Sequence, residues 1–207
     1  MTRPRALSLW LVAAVVAMLV GGAIAAGAVS GAGFRPVAYS INGHQVAQQT
    51  VDDELASLAA HEKLSAQLFG SGVKSTAGAV SSSVAATWVN VRIQIEIFRG
   101  LLRSNHASVT AADRAAVRSQ LPPGKEFDHL SAGTRQVIVD NLSAVNVLTR
   151  VLGSPEALSA AGGRAQGNAH VKLDARYGTW DPRQGVCPAS GCPSPTAPSG
   201  SPPSGSG

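Results

Sequence analysis

The chain has 207 residues, of which 17 are basic and 12 acidic, for a formal net charge of +5. Two of the basic residues, Arg3 and Arg5, belong to an apolar N-terminal segment, so 15 basic and 12 acidic residues are scattered along the rest of the sequence. A nucleic-acid-binding protein would show Lys and Arg clustered in a stripe with interleaved aromatic residues, so the composition excludes nucleic acid as an expected partner.

The N-terminal segment has the pattern of an export signal. Arg3 and Arg5 precede an apolar run that continues as small residues to Gly33, and no acidic residue occurs before Asp52. Residues 1–33 are therefore predicted to be a cleaved signal peptide or a signal anchor retained in the membrane. Because the basic residues lie on the N-terminal side, we expect the rest of the chain outside the cytoplasmic membrane, either secreted or membrane-anchored.

Two strand-like segments enclose the remaining sequence. The first runs from Ala38 to His44 through an Asn-Gly turn, and the second from Ala169 to Asp181. An isolated strand leaves unsatisfied backbone groups, so the two segments must pair with each other or with another molecule. We expect them to pair with each other and to close the chain into one unit. Tyr39, Tyr177 and Trp180 are expected to be the aromatic residues of that strand pair.

Helical patterns fill the interval between these strands. We expect a first helix capped by Thr50 and ended by the glycines at 70–72, and a longer one after the serines at 81–83. A third should start at a capping box of Thr110 and Asp113 and end at the Pro-Pro-Gly at 122–124. The last long helix should end at Gly153, followed by no more than a minor turn over residues 155–161 and a polar connector.

The predicted fold class is mainly α, with one helical domain at residues 34–186 and a small two-stranded pairing of its N- and C-terminal segments. About 150 residues suffice for one domain with its own core. The Pro/Ser/Gly-rich tail, residues 187–207, is expected to be disordered. Its Cys187 and Cys192 are predicted to form a disulfide in an oxidising compartment, since two thiolates without further ligands do not make a metal site.

Several sequence features in this order resemble the N-terminal chaperone domain of the SurA and PrsA foldases. They are Ile41–Gly43, then Val46–Thr50 before an acidic helix, the long amphipathic helix Trp88–Leu102, the start Val109–Asp113, and the closing segment Val171–Asp181. The resemblance implies a helical chaperone domain to which the last strand returns. It covers residues 37–181.

The sequence departs from those foldases by lacking space for an isomerase domain. Only 16 residues separate Leu152 from Ala169, where relatives with isomerase activity carry a parvulin domain. A segment this short cannot fold alone without cross-links. None of the five histidines lies in a nucleophile motif. We therefore expect neither an enzyme nor a bound cofactor.

The function expected from this resemblance is that of an exported holdase-type chaperone for unfolded segments of secreted or envelope proteins. The candidate client-binding residues are Trp88, Ile95, Phe98 and Leu102, because large side chains supply most contact area in such recognition. The same stripe is more typical of a helix that faces the core. The alternative function is a membrane-anchored interaction or assembly subunit with one specific folded partner.

The same predicted helix carries charged residues beside the apolar stripe. Arg92, Glu96 and Arg99 are expected to form ordinary surface pairs.

Overall fold

The computed structural model describes residues 36–69, 74, 80–121, 125–188 and 191–192. The expectations for the export signal at 1–33, for the helix-ending residues 70–72 and 122–124, and for the tail after Cys192 lie outside these residues. All elements described below belong to one unit, Val37–Gly207.

The described residues form a mainly α fold, which confirms the predicted class. The strands are β1 (Val37–Ile41), β2 (His44–Ala47), β3 (Val171–Leu173), β4 (Thr179–Asp181) and β5 (Gly185–Cys187). The helices are α1 (Gln48–Ala60), α2 (Glu62–Phe69), α3 (Ser82–Ser104), α4 (Ala111–Gln120), α5 (Lys125–His129), α6 (Ala132–Leu152) and α7 (Pro155–Gly167). The helices α3 and α6 pack against each other through the middle of the unit.

The N- and C-terminal segments pair as predicted, in a sheet with strand order β2-β1-β3. Ile41 lies opposite Val171 and Tyr39 opposite Leu173, in an antiparallel ladder. The third strand, β2, is the second arm of a hairpin whose turn residues Asn42 and Gly43 have φ of 49° and 87°, as a tight hairpin turn requires. The side-chain oxygen of Asn42 also accepts a hydrogen bond from the backbone N–H of His170 at 3.0 Å, which fastens the turn to the chain entering β3.

The closing segment does not continue as one strand, so the prediction for its aromatic residues was wrong. After β3 the chain makes a 3₁₀ turn, Ala175–Tyr177, and turns again at Gly178 with φ 120°. The hydroxyl of Tyr177 donates to a carboxylate oxygen of Asp52 at 2.7 Å. Burial, followed by this hydrogen bond, raises the pKa of Tyr177. Trp180 pairs with Val186 in a separate sheet of β4 and β5, rather than with Tyr39.

That second sheet extends the domain beyond its predicted boundary at residue 186. Cys187 is the last residue of β5 and is 2% exposed, and it forms a disulfide with Cys192. The side-chain oxygen of Asn90 on α3 accepts from the backbone N–H of Val186 at 3.2 Å. Cys187 therefore belongs to the folded unit and not to the tail.

The first predicted helix is two helices in the structure. It starts at Gln48 after Ala47, so Thr50 is not its cap, and it ends at His61 before α2 begins. Leu58 and Leu64 are six residues apart, and a continuous helix would turn them about 120° away from each other. The break at His61 allows both side chains to be buried.

The other helix boundaries follow local signals. Ser81 caps α3, and Thr110 with Asp113 forms the predicted capping box of α4. Gly153 closes α6 in the left-handed conformation. The minor turn expected at 155–161 is instead the 13-residue helix α7, with Ser154 as its cap and Pro155 in its first turn. These start signals outweigh the cost of about 1 kcal/mol for each glycine inside a helix.

The buried apolar residues among those described form two clusters. The larger lies between the three-stranded sheet and helices α1, α3 and α6, and its largest fully buried side chains include Trp88, Tyr39, Leu58 and Ile93. The smaller lies where α3, α6 and α7 meet, and it consists of Leu102, Ala144, Val147, Leu148 and Leu158. Both clusters contribute residues to the surface feature described next.

Candidate functional site

A groove runs between α3 and α6, and we call it the α3–α6 groove. Its α3 wall is built by residues that step along the sequence by 3, 1, 3, 3 and 1 positions, namely Arg92, Ile95, Glu96, Arg99, Leu102 and Arg103. This spacing keeps them on one side of a helix. The α6 wall has the same character, since Gly133, Gln136, Val137, Asp140 and Ala144 also follow helical spacing.

The groove contains two neighbouring cavities of about 230 Å³ each. The first, which we call the polar cavity, is lined by Glu54 and Arg92 among others. The second, which we call the arginine-rimmed cavity, is lined by apolar residues below and by three arginines. Ile95, Arg99 and Asp140 line both cavities. Each cavity is smaller than the roughly 300–1,000 Å³ of a typical small-molecule site and is closer in size to a single side chain.

A buried carboxylate organises the polar cavity. Glu54 is 4% exposed; one of its oxygens accepts from the indole N–H of Trp88 at 2.9 Å, and the other from the guanidinium of Arg92. Arg92 also donates to the hydroxyl of Tyr39 at 3.4 Å. Burial would lower the pKa of Arg92, but Glu54 and Tyr39 outweigh it and the pKa is raised. Burial raises the pKa of Tyr39, and Arg92 only partly offsets it.

A second ion-pair cluster lies where the two cavities meet. The carboxylate of Asp140 accepts from Arg114 Nε at 2.7 Å and lies 3.9 Å from Arg99 Nη2. Arg99 also pairs with Glu96 on its own helix. The side chain of Asp140 is 15% exposed, whereas those of Arg99 and Arg114 are 47% and 41% exposed. The carboxylates of this cluster are thus largely covered and the guanidiniums face solvent.

The four predicted client-binding residues occupy different positions. Trp88 is 1% exposed and belongs to the larger core cluster, so it offers no open surface. Ile95 and Leu102 are also mostly buried, but both line the α3–α6 groove. Phe98 is half-buried and lines another cavity, of about 270 Å³, with Leu158 and Gly162. The stripe therefore serves mainly as core, with Ile95 and Leu102 reaching the groove.

The sequence interpretation missed the charged residues of the groove. Arg92, expected to pair on the surface, is joined to Glu54 across 38 positions of sequence. Arg114 and Asp140 are 26 positions apart. A partial signal was present, because Arg92, Glu96, Arg99 and Arg103 follow helical spacing beside Ile95. The partners of Arg92 and Arg99, which lie on α1 and α6, depend on the tertiary fold and leave no local pattern.

The described residues contain no group of three or more His, Cys, Asp or Glu side chains placed to bind a metal ion. Among the same residues, no helix combines the length and the apolar character that crossing a bilayer requires. Within the groove, Glu54 and Asp140 are each held by an arginine. This arrangement gives the groove charged walls around two cavities that are each about as large as one side chain.

Comparison with known proteins finds no matching family model, no similar curated protein and no similar solved structure.

Proposed function

We propose that this protein is an exported holdase-type chaperone that binds unfolded segments of secreted or envelope proteins without isomerase activity, and that the α3–α6 groove holds those segments. The observation that carries the proposal is the pair of side-chain-sized cavities with a shared wall. A chain segment laid along the groove can place successive side chains in the two cavities while its backbone remains at the mouth.

Two further features support the proposal. The antiparallel pairing of Ile41 with Val171 is the closure implied by the resemblance to the SurA and PrsA chaperone domains. The disulfide between Cys187 and Cys192 suits an oxidising compartment outside the cytoplasm. Compared with the sequence interpretation, the client-binding residues are now Ile95 and Leu102 with the arginines around them, and Trp88 supports the groove from the core.

The proposal is tested by aggregation of a chemically denatured model client, followed by light scattering with the full chain at near-stoichiometric ratio. We expect the full chain to slow aggregation. Ser108→Trp, which places a bulky side chain at the exposed edge of the arginine-rimmed cavity, should weaken this effect. Ser119→Trp is the matched control, because residue 119 lies on the exposed side of α4. This variant should slow aggregation as much as the unaltered chain. A folded full chain that leaves aggregation unchanged would contradict holdase action.

A membrane-anchored interaction or assembly subunit with one folded partner is the second candidate. It is favoured by the small apolar surface, since Leu142 and Val151 are the exposed large apolar residues among those described. In-cell cross-linking from a photoreactive residue at position 108 separates the two functions. Many exported clients would support the chaperone, and a single stoichiometric product would support the subunit.

The absence of isomerase activity is tested separately with a short proline-containing peptide. Prolyl bonds isomerise in about 10–100 s without a catalyst at 25 °C, so catalysis is easily detected. We expect the full chain to leave this rate unchanged.

A further inference from the structure

We propose that the arginine-rimmed cavity selects segments in which an apolar side chain is flanked by acidic residues. This inference rests on the proposed function and specifies the chemistry of the segment that the groove accepts. It is carried by the contrast between the floor of the cavity and its rim.

The floor of the cavity is apolar. Ile95, Leu102, Val109 and Ala144 line it, and Leu102 and Ala144 belong to the smaller core cluster. An apolar side chain entering this space would extend that cluster and be removed from water, which is favourable in proportion to the area buried. A basic side chain would find no carboxylate on the floor to pair with.

The rim of the cavity is positively charged. Its charged residues are Arg99, Arg103 and Arg114 against Asp140, an excess of two positive charges, three minus one. Asp140 is already engaged by Arg114 at 2.7 Å, and Arg99 is shared between Asp140 and Glu96. If Glu96 is also counted, because it pairs with Arg99, one positive charge remains in excess at the rim.

Arg103 supplies that excess. Its side chain is exposed on α3, and within the described part of the chain it takes part in no ion pair. An acidic residue beside the bound apolar side chain would meet this guanidinium and the solvent-facing parts of Arg99 and Arg114. Complementary charge at the rim of an interface favours the correct partner and disfavours one of like charge.

The ends of this chain do not have the required chemistry. The residues after Cys192 are Ser, Pro, Gly, Thr and Ala, and the charged residues before Asp52 are Arg3, Arg5 and Arg35. Neither end offers an apolar residue flanked by carboxylates. Charge complementarity therefore points to a segment of another polypeptide as the occupant.

The test uses three fluorescein-labelled peptides of equal length and identical apolar residues, flanked by Glu, Gln or Lys. Binding to the full chain is measured by fluorescence anisotropy at low and high salt. We expect the Glu peptide to bind about tenfold more tightly than the Lys peptide at low salt, with the Gln peptide between them. High salt should reduce this difference, because the rim charges are exposed to solvent.

Arg103→Gln is the informative variant, since it removes one rim charge without breaking a described ion pair. It should reduce the preference for Glu over Gln peptide by about two- to fivefold. Arg164→Gln is the matched control, because Arg164 is an exposed arginine on α7, and it should leave the preference unchanged.

Three other outcomes overturn the inference. Equal binding of the three peptides would remove charge selection and leave the proposed chaperone function standing. An equal loss of preference in Arg164→Gln would show that overall net charge, and not the cavity rim, is responsible. No binding of any peptide would remove both the inference and the proposed function.

Discussion

At the scale of single residues, Glu54 holds the most consequential contacts of the groove. Its carboxylate joins α1 to two residues of α3, through the indole of Trp88 and the guanidinium of Arg92. Trp88 was expected to face clients from its place in an apolar stripe. Its buried indole N–H needed a partner, and the sequence around Trp88 gives no indication that the partner lies 34 positions away.

Glu54→Gln should destabilise the fold strongly. The amide oxygen can still accept from Trp88, but Arg92 loses its buried counter-charge, and breaking one side of such a pair costs on the order of 3 kcal/mol. Urea unfolding measures this loss. Asp128→Asn is the matched control, because its pair with Arg118 is more than half exposed and exposed pairs contribute about 0–1 kcal/mol. Equal effects of the two substitutions would contradict the structural role given to Glu54.

At the scale of elements, capping residues in the sequence correctly predicted several helix boundaries. Thr110 marks the start of α4 and Gly153 the end of α6, as predicted from sequence, and α3 begins within the serines at 81–83 that precede its apolar pattern. The prediction failed at His61, where a break in the helix allows Leu58 and Leu64 both to be buried. It also missed α7, whose local start signals outweigh the two glycines at 162 and 163.

A pair of glycine substitutions tests how these helices are built. Gly153 has φ 90° and no atom within 4 Å of an added Cβ, so Gly153→Ala would be strained by backbone conformation alone and should destabilise by about 1 kcal/mol. Gly100 lies inside α3, also with no atom within 4 Å of an added Cβ. Gly100→Ala should therefore stabilise by about 0.5–1 kcal/mol.

Thermal or urea unfolding of both variants measures the two effects, and the circular dichroism spectrum shows whether helix content is kept. The essential expectation is that Gly153→Ala lowers the free energy of unfolding and Gly100→Ala raises it. If Gly153→Ala were as stable as the parent, α6 would not end in the left-handed conformation at that residue.

At the scale of the whole molecule, the sequence predicted the closure of the chain but not its extent. The need of each strand-like segment for a pairing partner correctly indicated that β3 returns to β1. It could not indicate that the chain then turns at Gly178 and adds a second sheet on α3. The groove was equally hidden from sequence, because its charges come from α1, α3, α4 and α6, and only the packing of these helices brings them together.

The second sheet leads to a prediction about the end of the folded unit. The chain ending at Gln184 lacks β5, so β4 loses its partner strand and the side-chain oxygen of Asn90 loses the N–H of Val186. Cys187, at 2% exposed, is also removed from the core. The lost hydrogen bonds and the lost burial together should lower the free energy of unfolding by on the order of 3 kcal/mol.

The chain ending at Cys192 is the matched control and should unfold at the same urea concentration as the full chain, because the residues removed carry no large apolar side chain to bury. Reducing its disulfide should cost about 2 kcal/mol or less, since the ring that it closes is short. The chain ending at Gln184 lacks both β5 and the disulfide. Measuring the effect of reduction alone therefore separates the contribution of the disulfide to stability from that of β5. If the chain ending at Gln184 were as stable as the chain ending at Cys192, β5 would contribute nothing to the stability of the fold.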